Sequence, residues 1–355
     1  MNFEILDSVR DLVQWRKVLN LFPEELQDIY FYPEYVGMHK LIDGSESLLF
    51  TYQEEGYIWI YPFILQPINK ELSIKGCLWF DIESAYGYGG PLSNTENKSF
   101  ISNANKSFSK WCKKNNVVAE FIRFNPLLKN YSWVDKKIEI EYDRDTISQN
   151  LENLDVDNPP FNGKVRNMIK SVSKHNVKID VYDPIESFNY FEKLYCSTML
   201  RVDADNYYYF NKSYFSNLCK FVAENGWLVG ATLDGEWVGS ALFLKGKKSL
   251  HYHLSATNSD FRIPGVTNAL IFKGMQLGAS RGLDVLHLGG GRSNSANDSL
   301  LKFKQKMGNM SNEFFIGKRV HNSDFYAHLK NNWGLRNPKL KDKYNRRILC
   351  YRYTM

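Results

Sequence analysis

The sequence predicts an α/β (α+β) protein of two tandem domains, each a mixed central sheet flanked by helices. Three observations carry this expectation. The chain has 355 residues, more than one hydrophobic core usually serves. One order of elements, strand, glycine-containing turn, helix and strand, occurs twice at similar length, once over residues 77–124 and again over 249–290. Between the copies, the segment from Asp145 to Gly163 is polar and ends near the pair Pro159-Pro160, which blocks helix propagation. The expected domains are residues 1–155 and 156–355.

In the first half, FEILD (residues 3–7) reads as a strand, and residues 8–20 and 33–40 as helices. Residues 47–53 and 57–68 are rich in aromatic and β-branched side chains and read as paired strands about a turn at Glu54–Gly56. The first copy of the repeat follows: strand 77–82, the glycine-rich turn Tyr86–Pro91, a helix over 95–114 and a strand over 117–124. In the second half, a basic helix (164–174), a strand (177–183) and two helices (185–200, 212–224) precede a hairpin turned at Asp234-Gly235. The second copy comprises strand 250–256, the turn Arg262–Gly265, helix 266–281 and strand 285–290.

Composition limits the function classes. Hydrophobic residues at 43% and charged residues at 24% match ordinary folded domains, so disorder does not dominate. The N-terminus lacks a basic segment followed by an apolar stretch and a cleavage site, and no run is long enough to span a bilayer. A cytoplasmic protein is expected. Cys77, Cys112, Cys196, Cys219 and Cys350 are odd in number and never in CxxC spacing, which argues for free thiols and against a zinc knuckle. The net charge of +6 favours anionic ligands without choosing among them.

The second copy has the stronger chemistry. Pro264 and Gly265 precede a helix starting at Val266-Thr267-Asn268, so unpaired backbone N–H groups and the positive end of the dipole face outward. Such a helix start holds a pyrophosphate, and Arg262 adds a bidentate donor. A pantetheine arm could pair with the edge of the preceding strand near Ser255 and Ala256, as an added strand would. The glycines ending the next strand, Gly289-Gly290-Gly291, keep that cleft open. Arg292, Lys302, Lys304 and Lys306 are further phosphate candidates, although alternating lysines fall on different helix faces and at most two could serve one site.

Amide formation needs a neutral, positioned amine and a donor for the developing oxyanion; a histidine suits the proton transfer. His251 and His253 share one face of the first core strand, and His287 lies on the second. His253 and His287 are the catalytic candidates, His253 because it lies nearer the strand's open end, and His251 is a substrate contact. Asp203, Tyr207 and Tyr208 sit in a crowded aromatic stretch, and Asp81, Tyr86 and Tyr88 flank the first glycine-rich turn. Both groups suit either stacking on a sugar or nucleobase or packing within the protein. No local spacing completes a metal ligand set.

The stretch from His251 to Asn309 resembles the C-terminal half of the double-domain branch of the GNAT N-acyltransferase superfamily, which includes the FemAB-type transferases. Leu300, Phe303, Lys304 and Gly308 match that branch's Leu-x-x-Phe-Lys-x-x-x-Gly segment. The segments KVRNMIKSVSKHNVKID and FDIESAYGYGGPL resemble its junction helix and its N-terminal glycine loop. The turn departs from the usual Arg/Gln-x-x-Gly-x-Gly/Ala, reading Arg262-Ile-Pro-Gly265-Val-Thr267. The resemblance implies two GNAT-like domains and acyl-CoA, acetyl- or hydroxybutyryl-, as co-substrate bound by the second. It is greatest to enzymes that acylate dTDP-linked 3-amino-3,6-dideoxyhexoses for surface polysaccharides. The alternative is an aminoacyl-tRNA-dependent peptidoglycan bridge transferase, disfavoured because no heptad-patterned charged arm is present. The expected partners are a nucleotide-linked amino sugar and a second copy in a homodimer, without membrane or nucleic acid.

Overall fold

The computed structural model describes residues 2–40, 42–68, 78–205 and 208–353. Cys77 and the candidate Tyr207 lie outside the described residues. The chain forms two compact units: Met1–Leu26, Tyr30–Asp143 and Phe314–Met355 make the first, and Gln27–Ile29 with Arg144–Glu313 the second. This division departs from the expected 155/156 boundary in two ways. The chain enters the second unit earlier, and its last forty or so residues return to the first.

The first unit begins with β1 (Phe3–Asp7), α1 (Leu12–Leu19) and α2 (Pro33–Gly37). The hairpin of β2 (Glu46–Glu54) and β3 (Tyr57–Pro67) turns at Glu55 and Gly56, both at positive φ, as a two-residue hairpin turn requires. Next come β4 (Phe80–Glu83), β5 (Leu92–Ser93), α3 (Lys98–Lys114) and β6 (Val117–Arg123). Strand order runs β1-β2-β3-β4-β6, with β5 on β3. β4 and β6 pair in parallel, with α3 crossing between them.

Helix α3 presents Phe100, Ala104, Phe108 and Cys112 at four-residue spacing to the sheet, all buried. Phe108 meets Phe50, Tyr61 and Phe63 with ring centroids 5.0–5.6 Å apart in edge-on geometry.

Strand β7 (Glu139–Asn150) carries the chain into the second unit, so the polar segment expected as a linker from Asp145 is a strand as far as Asn150. There follow α4 (Gly163–Lys174), β8 (Lys178–Tyr182), α5 (Pro184–Arg201), α6 (Lys212–Asn225), β9 (Gly226–Leu233) and β10 (Glu236–Lys245). The unit is completed by β11 (Ser249–Thr257), α7 (Val266–Ser280), β12 (Val285–Gly290) and α8 (Ser299–Gln305). Its strand order is β7-β12-β11-β10-β9-β8, in which β11 and β12 are the parallel pair. Helix α7 packs against the sheet through Val266, Leu270, Ile271 and Met275, and Gly274 lets it close on Phe243. A Cβ at Gly274 would lie 2.2 Å from that ring.

Strand β13 (Met310–Val320) returns the chain to the first unit, where it pairs antiparallel with β6. This pairing explains why α9 (Ser323–Arg336) and α10 (Pro338–Tyr344) join the first unit. Trp333, Leu329 and Phe325 pack there with Tyr344, Ile348 and Tyr351. The duplication read in the sequence is therefore physical: each unit contains a parallel strand pair joined by one helix.

Phe108→Ala removes a ring against which Phe50, Trp59, Tyr61, Phe63 and Trp111 pack. It should lower the unfolding free energy by about 3–5 kcal/mol. Urea denaturation measures this, and a loss below about 1 kcal/mol would contradict the packing described.

Candidate functional site

The site grows from the way β11 and β12 stop pairing. Their parallel register runs Ser249↔Val285, Leu250↔Leu286 and His251↔His287, and ends there. On its other side β11 stays paired with β10 as far as Thr257. The edge of β11 beyond His251 is thus turned toward β12 with no strand on it. Strand β12 breaks register against β7 between His287 and Gly289, and Gly289 has φ 77°, so β12 bends away as the strands part.

The carbonyls past this bend are held from one side. Lys304 Nζ donates to Gly290 O at 2.7 Å, and Arg144 Nη1 donates to Gly291 O at 2.9 Å. The Asp298 carboxylate accepts from the backbone N–H groups of Arg292 and Ser293, and it caps α8 through Leu300 and Leu301. The Leu301 amide bond and its companions hold that carboxyl down at about 2.

Beyond β11, the chain turns back at Gly265 into α7. Gly265 has φ 89°, and a Cβ there would sit 2.3 Å from Met168 O of α4. Only glycine meets both demands. No side chain caps α7, and its first intrahelical bond is Ala269 N to Gly265 O. The amides of Val266, Thr267 and Asn268 therefore lie ahead of the helical ladder, at the positive end of a 15-residue helix.

These amides open into a cavity of about 470 Å³ that Arg262, Arg201, Thr257 and Phe303 also line. Arg201, at the end of α5, donates to Thr257 O at 3.3 Å and so places its guanidinium at the cavity mouth. An anion here would meet helix-start amides and two arginines.

The matching place in the first unit is built otherwise. Beyond β4 the chain stays on β6, through Ser84 N to Phe121 O and Gly89 N to Arg123 O, at 3.2 and 2.7 Å. The start of α3 is filled by its own side chain, since Asn97 Oδ1 accepts from Ser99 N and Phe100 N. It offers neither an open strand edge nor vacant helix-start amides.

Under the parting of β11 and β12 lies a buried polar group. Asp28 Oδ2 accepts from Ser249 Oγ at 2.6 Å and from His251 Nε2 at 2.7 Å. The His287 ring is 5.5 Å from that of His251. Burial, reinforced by His251 and Lys304, holds His287 well below the ordinary histidine value, so the ring is neutral at pH 7.

Residues 185–305 match the family model described as an acetyltransferase (GNAT) domain. The match lies within the second unit. Across the whole chain the fold is similar to that in a crystal structure of FemX, 14% identical with TM-score 0.68, covering 92% of this chain and 99% of that one. It is similar to the C-terminal domain of a putative lysylphosphatidylglycerol synthetase from Agrobacterium fabrum, 12% identical with TM-score 0.58, covering 92% and 97%. It is also similar to a tandem GNAT protein from the clavulanic acid biosynthesis pathway, 10% identical with TM-score 0.52, covering 90% and 98%. At such identities the likeness is one of fold, and the fold is the expected tandem of mixed α/β units. No curated protein sequence matches the chain.

Within the matched region the structure gathers Arg262, Gly265, Val266, Thr267 and Asn268 around one cavity. Ser255 and Ala256 lie on the open-edged part of β11, and His253 is half-buried just past the last rung. Other expectations need correction. His251 is 1% exposed and bound to Asp28, so it cannot touch a substrate, and His287 at 2% is equally enclosed. Lys304 is buried on Gly290 O and so is not a phosphate contact, while Arg292 is exposed and does not line the cavity.

Asp203 and Tyr208 are exposed beyond α5. In the first unit, Asp81 is fully buried, with Tyr351 Oη at 2.8 Å and Arg352 Nε at 3.0 Å, so it anchors the C-terminal turn instead of binding a ligand. Tyr88 packs edge-on against Tyr30 and Phe314, and Tyr86 stacks over His39. Asp28 and Arg201 are the site's unexpected members. Asp28 lies 221 residues from Ser249 in the sequence, so the spacing of the two does not mark it. Among the described residues, no three His, Cys, Asp or Glu side chains could share a metal ion.

Burial lowers the Lys304 ammonium to about 7, with Arg144 adding to the effect and Asp298 opposing it. The unfolded lysine keeps its proton to about pH 10.4, so between these values the unfolded chain binds more protons and stability rises with pH. Relative to Lys304→Met, the native protein should gain stability from pH 7 to pH 9 in urea titrations. An unchanged difference would show that Lys304 titrates normally.

Proposed function

We propose that this chain is an N-acyltransferase that moves an acetyl or short hydroxyacyl group from acyl-CoA to the amine of a nucleotide-linked amino sugar, such as a dTDP-3-amino-3,6-dideoxyhexose. The observation that carries the donor half of this reading is the cavity at the start of α7, where vacant amides and two arginines meet the open edge of β11. Pyrophosphate suits the amides and arginines, and a pantetheine arm suits the strand edge. The GNAT match over residues 185–305 supports acyl transfer. The acceptor half of the reading rests on the resemblance of the sequence to enzymes that acylate nucleotide-linked amino sugars.

In the proposed reaction the amine nitrogen attacks the thioester carbonyl, forming C–N. Collapse of the tetrahedral intermediate breaks C–S, and the thiolate leaves as the free thiol of coenzyme A. Strand amides on the open edge of β11 are placed to bind the oxyanion, and His253 takes the proton from the attacking amine. The buried pair His251 and His287 keeps the floor of the opening rigid.

Release of free thiol from acetyl-CoA, measured over a panel of nucleotide amino sugars, tests the reading. Arg262→Ala should raise KM for acyl-CoA about tenfold with kcat kept, as loss of one charge-assisted contact implies. His253→Gln should lower kcat by about a hundredfold or more. Silence across the whole panel, with thermal protection by tRNA and none by coenzyme A, would overturn the reading in favour of aminoacyl-tRNA-dependent transfer.

A further inference from the structure

One of the most basic segments of this protein lies near the end of α9. Residues 330–347 contain seven basic side chains (Lys330, Arg336, Lys339, Lys341, Lys343, Arg346 and Arg347) and one acidic, Asp342. Their net charge is +6, and the whole chain, with 45 basic and 39 acidic residues, is also +6. The rest of the molecule is neutral overall.

This segment is folded, which separates it from a solvated tail. It comprises the end of α9, all of α10 and the turn that follows, and Trp333, Tyr344 and Ile348 fix it to the core of the first unit. Trp333 Nε1 donates to Tyr353 O, and beyond it Arg352 and Tyr351 lock onto Asp81. The basic side chains from Arg336 onward are exposed on this fixed base. Among them stands Leu335, 74% exposed, the most exposed large apolar side chain among the described residues.

We infer that this exposed segment docks on an anionic lipid bilayer. A fixed cluster of lysines and arginines is drawn to the negative potential of acidic headgroups, and an apolar side chain projecting from it enters the interface. A polynucleotide would use the charge but not the leucine. Single-stranded nucleic acid also seeks aromatic faces, and here the Tyr344 and Tyr353 rings stack on each other, 4.1 Å apart and 8° from parallel, beneath Arg347. Peripheral attachment of this kind needs no spanning segment, and among the described residues no helix is long and apolar enough to cross a membrane.

Vesicle co-sedimentation of the full chain tests this. Phosphatidylcholine vesicles containing phosphatidylglycerol should bind the protein at about 0.05 M salt and release most of it at about 0.5 M, and pure phosphatidylcholine should not bind. The triple variant Lys339→Glu, Lys341→Glu, Lys343→Glu should lose at least tenfold in partitioning with its melting temperature unchanged. Leu335→Ser should lose about threefold and leave the salt dependence intact. Absence of vesicle binding, retention of binding by the triple variant, or capture of tRNA in place of vesicles would each overturn the proposal. Acyl transfer by the soluble enzyme is read separately and does not depend on this face.

Discussion

The parting of β11 from β12 after the His251↔His287 rung is the constraint on which the second unit's site depends. Two parallel strands that pair for three residues and then diverge leave one edge without a neighbouring strand, a costly state unless something enforces it. Here the enforcement comes from both sides. β10 keeps β11 straight to Thr257, while the bend at Gly289 and the bonds from Lys304 and Arg144 to Gly290 and Gly291 draw β12 aside. The open edge is a consequence of stronger commitments elsewhere.

The cost of those commitments shows in Lys304. A buried ammonium is disfavoured by desolvation, which is why its proton is lost near neutrality, yet its nitrogen remains on the Gly290 carbonyl. The same preference for local satisfaction separates the two halves. In the first unit, Asn97 fills the helix start and Gly89 continues the ladder on β6. In the second, Gly265 takes the place of a capping side chain and adopts a left-handed conformation that brings α7 against Met168. One element order yields a closed and an open version through a few residues at the turn.

Much of this was legible in the sequence where the signal is local. Both hairpins turned as expected because Glu55-Gly56 and Asp234-Gly235 accept positive φ, and α3 and α7 lie where the periodicity and the flanking turns place them. The α7 cavity was legible for the same reason, since Arg262 to Asn268 are consecutive. What escaped was non-local. The end of β7, from Asp145, reads as a linker because its buried residues include Thr146, Ser148 and Gln149, small or polar side chains that hydrogen bonds make tolerable only after the strand is paired. The return of β13 to the first unit is a pairing choice with β6, nearly two hundred residues away.

The three strand histidines show how little separates structure from chemistry. Alternation alone puts His251 and His253 on the same face with equal claims. The last rung divides them: His251 pairs with His287 and is tied to Asp28, so both rings are walled in and serve the floor. His253, two residues on, lies past the last paired residue and is half-buried beside the open edge. A side chain that exchanges protons with an entering amine needs access, and of the three only His253 is not fully buried. The buried pair beneath fixes the strand from which His253 projects, so its position is set before any ligand arrives.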